Sequence, residues 1–462
     1  MEFIPFEKLN RELSTRLKNT ELYTDESYSF LKIVQHGLSY AMLDSKNKLL
    51  KTYFRFPFFV QLFLYRLKGW LKPKAAVFAA DRPLILFDEG RHFETDSGKI
   101  VSMYFDKLIH YFGRENCFHV GLGGDKRISF DLKFNTLSDV NGALDGPEKH
   151  LLKSICNALM RLQKSNEFSA TEMLYIESAF HVFFNSFRKN YSFLKRSKAQ
   201  RAFFCVHYHK EGLLAALKVL GIEAVEVQHG LISRNDFYYV YDSQFRAVIK
   251  RAFFPDKLLL YGSYWKEVLS SGAEWERDQL IVAGNYLANA RKESVDLNKK
   301  ENIIFIGAQK NLAQPYVEYC LRLQKLLKEK EYDWWIVVKM HPLEKTPDLY
   351  KNALPPAGVE VVGSETNLYD WLAISRIQIS IYSTTFFDAL GFNVLNFSLQ
   401  NYTNSADYAR EMVEEGVALA LELNEDPVAK FEEFKGRKDF VLSHDEVYST
   451  FPGVEFQAIT WL

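Results

Sequence analysis

IVVKMHP (Ile336–Pro342) and ISIYSTTFFDALGF (Ile379–Phe392) are the two pieces of sequence that decide the fold. The first lies within the stretch Asp333–Gly391, and the second ends one residue after it. Each begins as an apolar, β-branched run, which predicts a buried strand of a parallel sheet. The first run ends at His341-Pro342, where proline cannot continue the hydrogen-bonded ladder. We therefore predict two strands that end in polar residues at one edge of the same sheet.

The polar residues at these two strand ends predict a phosphate site. Ser383, Thr384 and Thr385 stand between the second strand and the helical pattern Phe386–Leu390. Hydroxyl side chains at this position are good helix N-caps, and the free N–H groups of a first helical turn bind anions. Together with the imidazole of His341 at the other strand end, they predict a pocket for the phosphates of a nucleotide.

Length and composition are those of a soluble protein with several domains. The chain has 462 residues, 47% of them hydrophobic, and a formal net charge of zero, so we expect two or three domains and no nucleic-acid partner. Four scattered cysteines without a CxxC pair indicate neither disulfides nor a zinc site. The charged N-terminus lacks a signal-peptide core, and no uncharged run is long enough to span a bilayer. We therefore expect a cytoplasmic protein.

Residues 1–73 predict a helical, aromatic-rich extension. Its most distinctive piece is YFRFPFFVQLFLYRLKGWLK (Tyr53–Lys72), where basic residues flank Phe, Leu and Trp as in an interfacial membrane helix. Pro57 interrupts this run and there is no clean polar face, so we favour a core helix that packs on the next domain. Peripheral contact with the inner membrane through 53–72 is the second hypothesis.

Strands that alternate with helices on both sides of a polar segment predict two α/β domains. AFFCVHYH (Ala202–His209) and EAVEVQ (Glu223–Gln228), with the helical pattern between them, form a βαβ unit in the first half. The polar stretch Asn285–Glu301 is the candidate linker, and a second series of strands and helices follows it. We predict an α/β protein with two doubly wound Rossmann-like domains, 74–290 and 291–462, that face each other across a cleft.

Two other stretches are assigned no functional role. DEGRHFETDSG (Asp88–Gly98) follows a strand-like run and is interpreted as a polar loop. Gln35-His36-Gly37 lies inside the helical pattern Leu31–Met42 and is interpreted as a coincidence of composition.

The loop after EAVEVQ holds the candidate residues of the first domain. His229 directly follows a buried strand, so its imidazole is a candidate general base or anion ligand, or else a structural histidine that caps a turn. Gly230 permits a sharp turn or the close approach of a ligand. Asp236 is a weaker candidate base or nucleophile. Arg234 is a candidate partner for an anionic sugar, or a solvated surface residue.

GAQKN (Gly307–Asn311) holds further candidates, because it follows the first strand of the second domain. Gln309 is a candidate substrate ligand. Lys310 would neutralise charge on a leaving diphosphate, although an ordinary surface lysine is the interpretation that we favour. Glu344 and Asp388 are interpreted as exposed carboxylates.

The order of these motifs resembles that of a group of bacterial surface-polysaccharide glycosyltransferases. The motifs are Gln228-His229-Gly230, then Lys339-x-His341-Pro342, then Ser383–Leu390 followed by Gly391-x-x-Val394. The group includes capsule Kdo transferases, polysialyltransferases and the CDP-glycerol glycerophosphotransferases of teichoic acid synthesis. The resemblance covers about Val225–Phe397. The chain departs from it at Gln228, where the glycerophosphotransferases usually have tryptophan, and at Phe386-Phe387, which leaves the donor sugar open.

The resemblance implies a GT-B-like fold and residue roles. His341, Ser383, Thr384 and Thr385 would hold the donor phosphates, and His229 would do the acid–base work, with Asp236 as its alternative. The group implies a CMP- or CDP-linked donor, although UDP is not excluded. Nothing resembles a DxD motif between strands, so we expect no bound metal and no cofactor beyond the nucleotide-sugar co-substrate.

The predicted function is that of a glycosyltransferase in capsule polysaccharide or lipopolysaccharide biosynthesis. It would move a sugar, Kdo- or sialic-acid-like or another, from a nucleotide donor to a glycan or glycolipid acceptor at the cytoplasmic face of the membrane. Three alternatives stay open: a polyol-phosphate transferase with a CDP-glycerol-type donor, a nucleotide-sugar epimerase of the same fold, and a non-catalytic scaffold of glycan assembly.

Overall fold

A computed structural model provides the structure of the chain. It describes residues 6–25, 27–43, 81–89, 92–94, 100–122, 130–133, 144–234, 236, 238–249, 251–272, 275–285, 299–309, 312–341, 344, 347–363, 366–400, 406–436 and 442–461. The hypothetical membrane-contact stretch 53–72, most of the candidate linker and Lys310 lie outside these residues.

The chain forms two compact units. The first comprises Met1–Leu260, Trp265–Val282 and Val454–Leu462, and the second comprises Tyr261–Tyr264 and Ala283–Gly453. The N-terminal helices and the last segment of the chain thus group with the first unit. The sequence-based domains differ at both points, because they set 1–73 apart and end the second domain at residue 462.

A seven-stranded parallel sheet is the centre of the first unit. The strands of this unit are β1 (Leu84–Asp88), β2 (His92–Glu94), β3 (Ile100–Ser102), β4 (Cys117–Gly121), β5 (Leu132–Lys133), β6 (Arg201–Cys205), β7 (Glu223–Val227), β8 (Lys257–Leu260) and β9 (Leu280–Val282). β2 and β3 form a separate antiparallel pair, and the other seven follow the order β5-β4-β1-β6-β7-β8-β9. The order reverses between β1 and β6, as in a doubly wound fold.

Helices of the first unit pack against its sheet and against one another. Those before residue 283 are α1 (Phe6–Arg16), α2 (Leu31–Leu43), α3 (Asp106–Phe112), α4 (Gly146–Ser165), α5 (Ala170–Leu194), α6 (Glu211–Leu220), α7 (Arg246–Ile249) and α8 (Ser263–Ser270). α4 and α5 begin at capping boxes, Asp145 with Glu148 and Ser169 with Glu172. α5 packs along both α2 and α6, so α2 is part of the first core.

A six-stranded parallel sheet is the centre of the second unit. Its strands are β10 (Ile303–Gly307), β11 (Trp335–Lys339), β12 (Val359–Val362), β13 (Ile377–Ser380), β14 (Leu395–Leu399) and β15 (Leu419–Leu421), in the order β12-β11-β10-β13-β14-β15. Along β10, Ile304 and Ile306 face one apolar cluster, and Ile303 and Phe305 face another. Both faces of this sheet are therefore covered, which explains its continuous apolar strands.

The helices that follow β10 are short except for the first. They are α9 (Ala313–Glu329), α10 (Pro347–Ala353), α11 (Leu368–Ile374), α12 (Thr385–Leu390), α13 (Ala406–Glu414), α14 (Pro427–Phe434), α15 (His444–Val447) and α16 (Val454–Gln457). In the part of the chain that the structure describes, no helix has the length and apolarity needed to cross a membrane.

The predicted fold class is confirmed, because each unit has a doubly wound parallel sheet in Rossmann order. Two local predictions are wrong. The strand predicted over Ala202–His209 ends at Cys205, because Val206 has a φ of 60°, which no strand residue adopts. Asp88, interpreted as the start of a polar loop, is the last residue of β1 and is fully buried.

Candidate functional site

The second unit has polar residues at the carboxyl edge of its sheet, beside the point where the strand order reverses. Gly307 at the end of β10 is in register with Lys339 at the end of β11. The hydroxyl of Ser380, at the end of β13, donates to the carbonyl oxygen of Gly307 at 2.7 Å. The candidate residues that leave the sheet at this edge are Gln309, His341, Ser383, Thr384 and Thr385. Open α/β sheets bind their ligands at such an edge.

Gln309 is held in place by a buried tyrosine. Tyr316 on α9 donates its hydroxyl hydrogen to Gln309 Oε1 at 2.6 Å, and its hydroxyl oxygen accepts from the N–H of Ile381 at 3.1 Å. Burial raises the pKa of Tyr316 well above its usual range, so the phenol stays a donor. Gln309 is only 8% exposed. Sequence reasoning missed Tyr316, because its position in α9 looks like any apolar core position.

The three hydroxyl residues after β13 have different surroundings. Ser383 Oγ accepts from the N–H of Thr385 at 3.3 Å and from its hydroxyl at 2.9 Å. Gln378 Nε2 donates to the same threonine hydroxyl. Thr384 is the N-cap residue of α12, is exposed, and makes no side-chain capping bond. α12 has only six residues, so the hydroxyl groups are better ligand candidates than the end of the helix.

His341 leaves the sheet one residue after the last ladder bond of its strand. The N–H of Met340 still donates to the carbonyl oxygen of Val362 at 3.0 Å. His341 is half-buried, and its carbonyl oxygen accepts from the N–H of Glu344 at 2.9 Å. The structure thus places His341 at the predicted strand end, on the strand next to β10.

Asp388 corrects one sequence-based interpretation. It was expected to be exposed, but it is half-buried on α12, and its Oδ1 accepts from the hydroxyl of Tyr448 at 3.0 Å. Burial raises the pKa of Asp388 to about 6, and the hydrogen bond from Tyr448 opposes this rise. Glu344 is also half-buried. The local pattern does not reveal Tyr448, because it lies sixty positions further along the chain.

The first unit has its own polar edge, at the ends of β6 and β7. Cys205 and Val227 are in register there, and the loops that follow them contain the candidate His229. Val206 and His209 in the loop after β6 have φ values of 60° and 67°. The left-handed region is a genuine outlier for a β-branched residue, and such strain concentrates at functional sites. We define Val206–His209 as the strained loop.

A buried, hydrogen-bonded pair of side chains holds the strained loop. His207 Nδ1 lies 2.6 Å from Glu226 Oε2, and its Nε2 lies 2.9 Å from the carbonyl oxygen of Tyr238. His207 and Glu226 are fully buried, and Tyr239 donates its hydroxyl hydrogen to Glu226. Burial lowers the pKa of His207; burial opposes ionisation of Glu226, but His207 and Tyr239 lower the pKa of that carboxyl.

His229 is half-buried beside this pair. Its Nε2 lies 3.4 Å from the hydroxyl of Tyr208, and its carbonyl oxygen accepts from the hydroxyl of Tyr104 at 3.1 Å. No atom of the described residues lies within 4 Å of where a Cβ of Gly230 would stand, and its φ is not positive. Gly230 is therefore not required for a turn, and the described residues leave space beside it for a ligand.

Asp236 and Arg234 are less well placed for chemistry. The carboxylate of Asp236 accepts from the N–H of Tyr238 at 3.0 Å, and its carbonyl oxygen accepts from the N–H groups of Tyr239 and Val240. Asp236 thus stabilises a turn. Arg234 is exposed on the same loop.

His36 joins this edge from α2, although sequence reasoning interpreted its motif as a coincidence. His36 Nδ1 lies 3.2 Å from His209 Nδ1, and its ring stacks on Tyr40 with centroids 4.8 Å apart. Burial lowers the pKa of both histidines to about 4, with Lys32 adding to the effect at His36 and His36 at His209. Both imidazoles are therefore uncharged at neutral pH.

A second buried cluster lies at the end of β1, which flanks the reversal point of the first sheet. Asp88 Oδ2 lies 3.0 Å from His119 Nε2 and 3.5 Å from His92 Nε2. All three side chains are buried. Sequence reasoning missed this cluster, because parallel pairing of β1 with β4 is what brings Asp88 and His119 together.

No protein-family model and no curated protein matches the chain. Solved structures do. The chain is similar to MnaA of S. aureus in a structure with UDP, with a TM-score of 0.45, 14% identity, and coverage of 80% of this chain and 93% of that one. It is similar to UDP-GlcNAc 2-epimerase from Neisseria meningitidis bound to UDP-GlcNAc, with a TM-score of 0.42, 14% identity, and coverage of 76% and 90%.

A third solved structure to which the chain is similar is the glycotransferase of kitacinnamycin, with a TM-score of 0.41, 12% identity, and coverage of 77% of this chain and 91% of that one. At such identities and TM-scores, these likenesses concern the fold and assign neither an activity nor a substrate to the chain. The resemblance to capsule Kdo transferases and polysialyltransferases stays a prediction from the sequence motifs.

Proposed function

We propose that the protein is a nucleotide-sugar-dependent glycosyltransferase that acts on a cell-surface glycan or glycolipid. The observation that carries the proposal is the edge of the second sheet, where His341, Gln309 and the hydroxyl groups of Ser383–Thr385 follow three adjacent strands at the reversal point. This is the position at which doubly wound domains bind nucleotides.

The donor phosphates are assigned to the second unit. The exposed hydroxyl of Thr384 and the imidazole of His341 would donate hydrogen bonds to phosphate oxygens, which carry more charge as the bond to the sugar breaks. Gly307 allows Thr385 to lie close to the end of β10, because a Cβ there would be 3.2 Å from Thr385 Oγ1. Gln309, fixed by Tyr316, would bind the donor through its amide. Lys310, which lies outside the described residues, remains a candidate to neutralise the negative charge on the donor phosphates.

Acid–base work is assigned to His229 in the first unit. A half-buried imidazole after a buried strand can move a proton near neutral pH. Asp236 is the weaker alternative, because its carboxylate is engaged in a turn. Gly230 and Arg234 would contact the substrate. The donor is proposed to be CMP- or CDP-linked, with no metal, and the protein to work in the cytoplasm in capsule or lipopolysaccharide synthesis.

The first test is thermal stabilisation by CMP, CDP, UDP, GDP and dTDP. A nucleotide that binds only the native state at a concentration of one hundred times its Kd adds about 2.7 kcal/mol to the free energy of unfolding, which raises Tm by several degrees. We expect this rise with a cytidine nucleotide, and its loss in His341→Ala. The control is His110→Ala, which removes an exposed imidazole of α3 and should keep the rise. No shift with any nucleotide would favour the scaffold alternative.

The epimerase alternative needs a separate assay, since an epimerase also binds nucleotides. One of the similar structures named above is a UDP-GlcNAc 2-epimerase, so UDP-GlcNAc without any acceptor is the substrate of choice. Conversion of UDP-GlcNAc to an epimer or to a free sugar plus UDP would replace the transferase proposal by the epimerase. Consumption of a nucleotide sugar only when an acceptor glycan is added would support the transferase, and CDP-glycerol in the same format tests the polyol-phosphate alternative.

A further inference from the structure

The strained loop of the first unit has an unusual backbone that sends two neighbouring side chains in different directions. Val206 and His209 are left-handed, and between them His207 is fully buried while Tyr208 is half-buried. The left-handed region is unfavourable for a β-branched residue, so the surrounding contacts must hold Val206 there.

Those contacts come from His207. Its ring nitrogens contact Glu226 and the carbonyl oxygen of Tyr238, and its N–H donates to Glu226 Oε1 at 3.2 Å. One buried side chain therefore ties the strained loop to β7 and to the segment that contains Tyr238. Both attachments lie next to Tyr208.

Tyr208 is fixed at both ends of its side chain. Its ring stacks on that of Tyr238, with centroids 4.3 Å apart and planes inclined by 19°. Its hydroxyl lies 3.4 Å from Nε2 of His229. A phenol can donate to the unprotonated nitrogen of a neutral imidazole or accept from the protonated one, and the hydrogen bond made by one ring nitrogen favours one tautomer.

We propose that Tyr208 is a positioning residue for His229: its hydroxyl is hydrogen-bonded to Nε2 and holds the neutral imidazole in a single tautomer and orientation. The buried His207–Glu226 pair and the stack on Tyr238 keep the tyrosine in place. This inference rests on the proposed acid–base role of His229, since an imidazole that transfers protons needs a defined tautomer and ring orientation.

Packing alone would also place a tyrosine here, and the hydroxyl separates the two explanations. Tyr208→Phe keeps the stacked ring and removes only the hydroxyl group. Tyr40→Phe is a matched control, because Tyr40 belongs to the same group of rings, where it stacks on His36 and lies near His209.

The experiment is NMR of the imidazole nitrogens in the full-length, nucleotide-free protein labelled with ¹⁵N-histidine. The signals of His229 are assigned by their loss in His229→Gln. In the wild-type protein near pH 8 we expect a single tautomer of His229. In Tyr208→Phe the His229 signals should move toward a mixture of tautomers, whereas Tyr40→Phe should leave them unchanged.

Two results would overturn the proposal: His229 signals of Tyr208→Phe that coincide with those of the wild type, or a wild-type His229 that is already a mixture of tautomers. The readout needs neither a donor nor an acceptor, so it is independent of the glycosyltransferase assays. A fixed tautomer in a protein that binds no nucleotide would refute the proposed function and keep the positioning role.

Discussion

At the scale of single residues, close contacts decide the effect of small changes. A Cβ at Gly37 on α2 would lie 2.7 Å from Cα and 2.9 Å from N of Ile176 on α5. Alanine favours a helix over glycine by about 1 kcal/mol, but the contact is with backbone, which cannot move without separating the two helices. We expect Gly37→Ala to lower the free energy of unfolding by roughly 1–3 kcal/mol in urea denaturation.

The matched control for this substitution is Gly146→Ala in the first turn of α4. Among the residues that the structure describes, no atom lies within 4 Å of a Cβ at that position. Alanine there should be neutral or stabilising by up to about 1 kcal/mol, because it restricts the unfolded chain. Equal effects of the two substitutions would contradict the packing of α2 on α5.

Asp388 gives a residue-scale prediction about pH. Its pKa of about 6 lies above the ordinary value for aspartate, near 4. The folded state therefore binds the proton more tightly than the unfolded state, and the stability that this contributes is complete below pH 4 and is lost as pH rises through 6. The expected loss of stability in the wild type is on the order of 2 kcal/mol. Asp388→Asn still accepts the hydrogen bond from Tyr448 but cannot ionise, so we expect its stability not to fall in this way.

The measurement is Tm between pH 4 and pH 7.5 for the wild type, Asp388→Asn and Asp348→Asn. Asp348 is an exposed carboxylate on α10, so its variant should follow the wild type. If Asp388→Asn loses as much stability over this range as the wild type does, then ionisation of Asp388 does not destabilise the native state, and burial does not raise the pKa of this carboxyl.

At the scale of elements, the buried pair of Arg188 on α5 and Glu148 on α4 is the contact to test. Arg188 Nε lies 2.9 Å from Glu148 Oε1, and both side chains are less than 9% exposed. Arg188→Met would leave a buried carboxylate without its cation, which costs roughly 3–5 kcal/mol. Urea denaturation monitored by far-UV circular dichroism measures this loss.

Arg277→Met is the control for this prediction. Arg277 lies 2.9 Å from Glu267, but these side chains are 68% and 61% exposed, and such surface pairs contribute roughly 0–1 kcal/mol. A loss of similar size in both variants would mean that Glu148 is protonated or hydrated in the native state.

Elements also show what local sequence can predict. The strand predicted over Glu223–Gln228 forms as β7, one residue shorter, because a short run with alternating valines that follows a turn specifies a strand by itself. The end of β6 was missed, because the strain at Val206 is held by the contact of His207 with Glu226, nineteen residues later. His36 was set aside for the same reason, since its contact with His209 spans 173 positions.

At the scale of the whole molecule, both units repeat one design, in which polar residues follow parallel strands next to a reversal of strand order. The candidate residues His229, His341 and Thr384 were found from sequence because strand ends can be predicted from hydrophobic runs. The histidines around Asp88 were not found, since their meeting depends on which strands pair. Sequence therefore predicts the strand ends of such sheets better than it predicts which side chains meet at those ends.

The proposed division of work between the units predicts where a nucleotide protects the chain from hydrogen exchange. With a saturating cytidine nucleotide, backbone amides just after β10, β11 and β13 should exchange more slowly, because ligand contacts at that edge suppress local opening. The strained loop and the residues after β7 should be unaffected by the nucleotide alone. Hydrogen–deuterium exchange with mass spectrometry measures both regions in one experiment, and His341→Ala at the same nucleotide concentration is the control. Protection confined to the first unit would reverse the assignment of donor and acid–base roles.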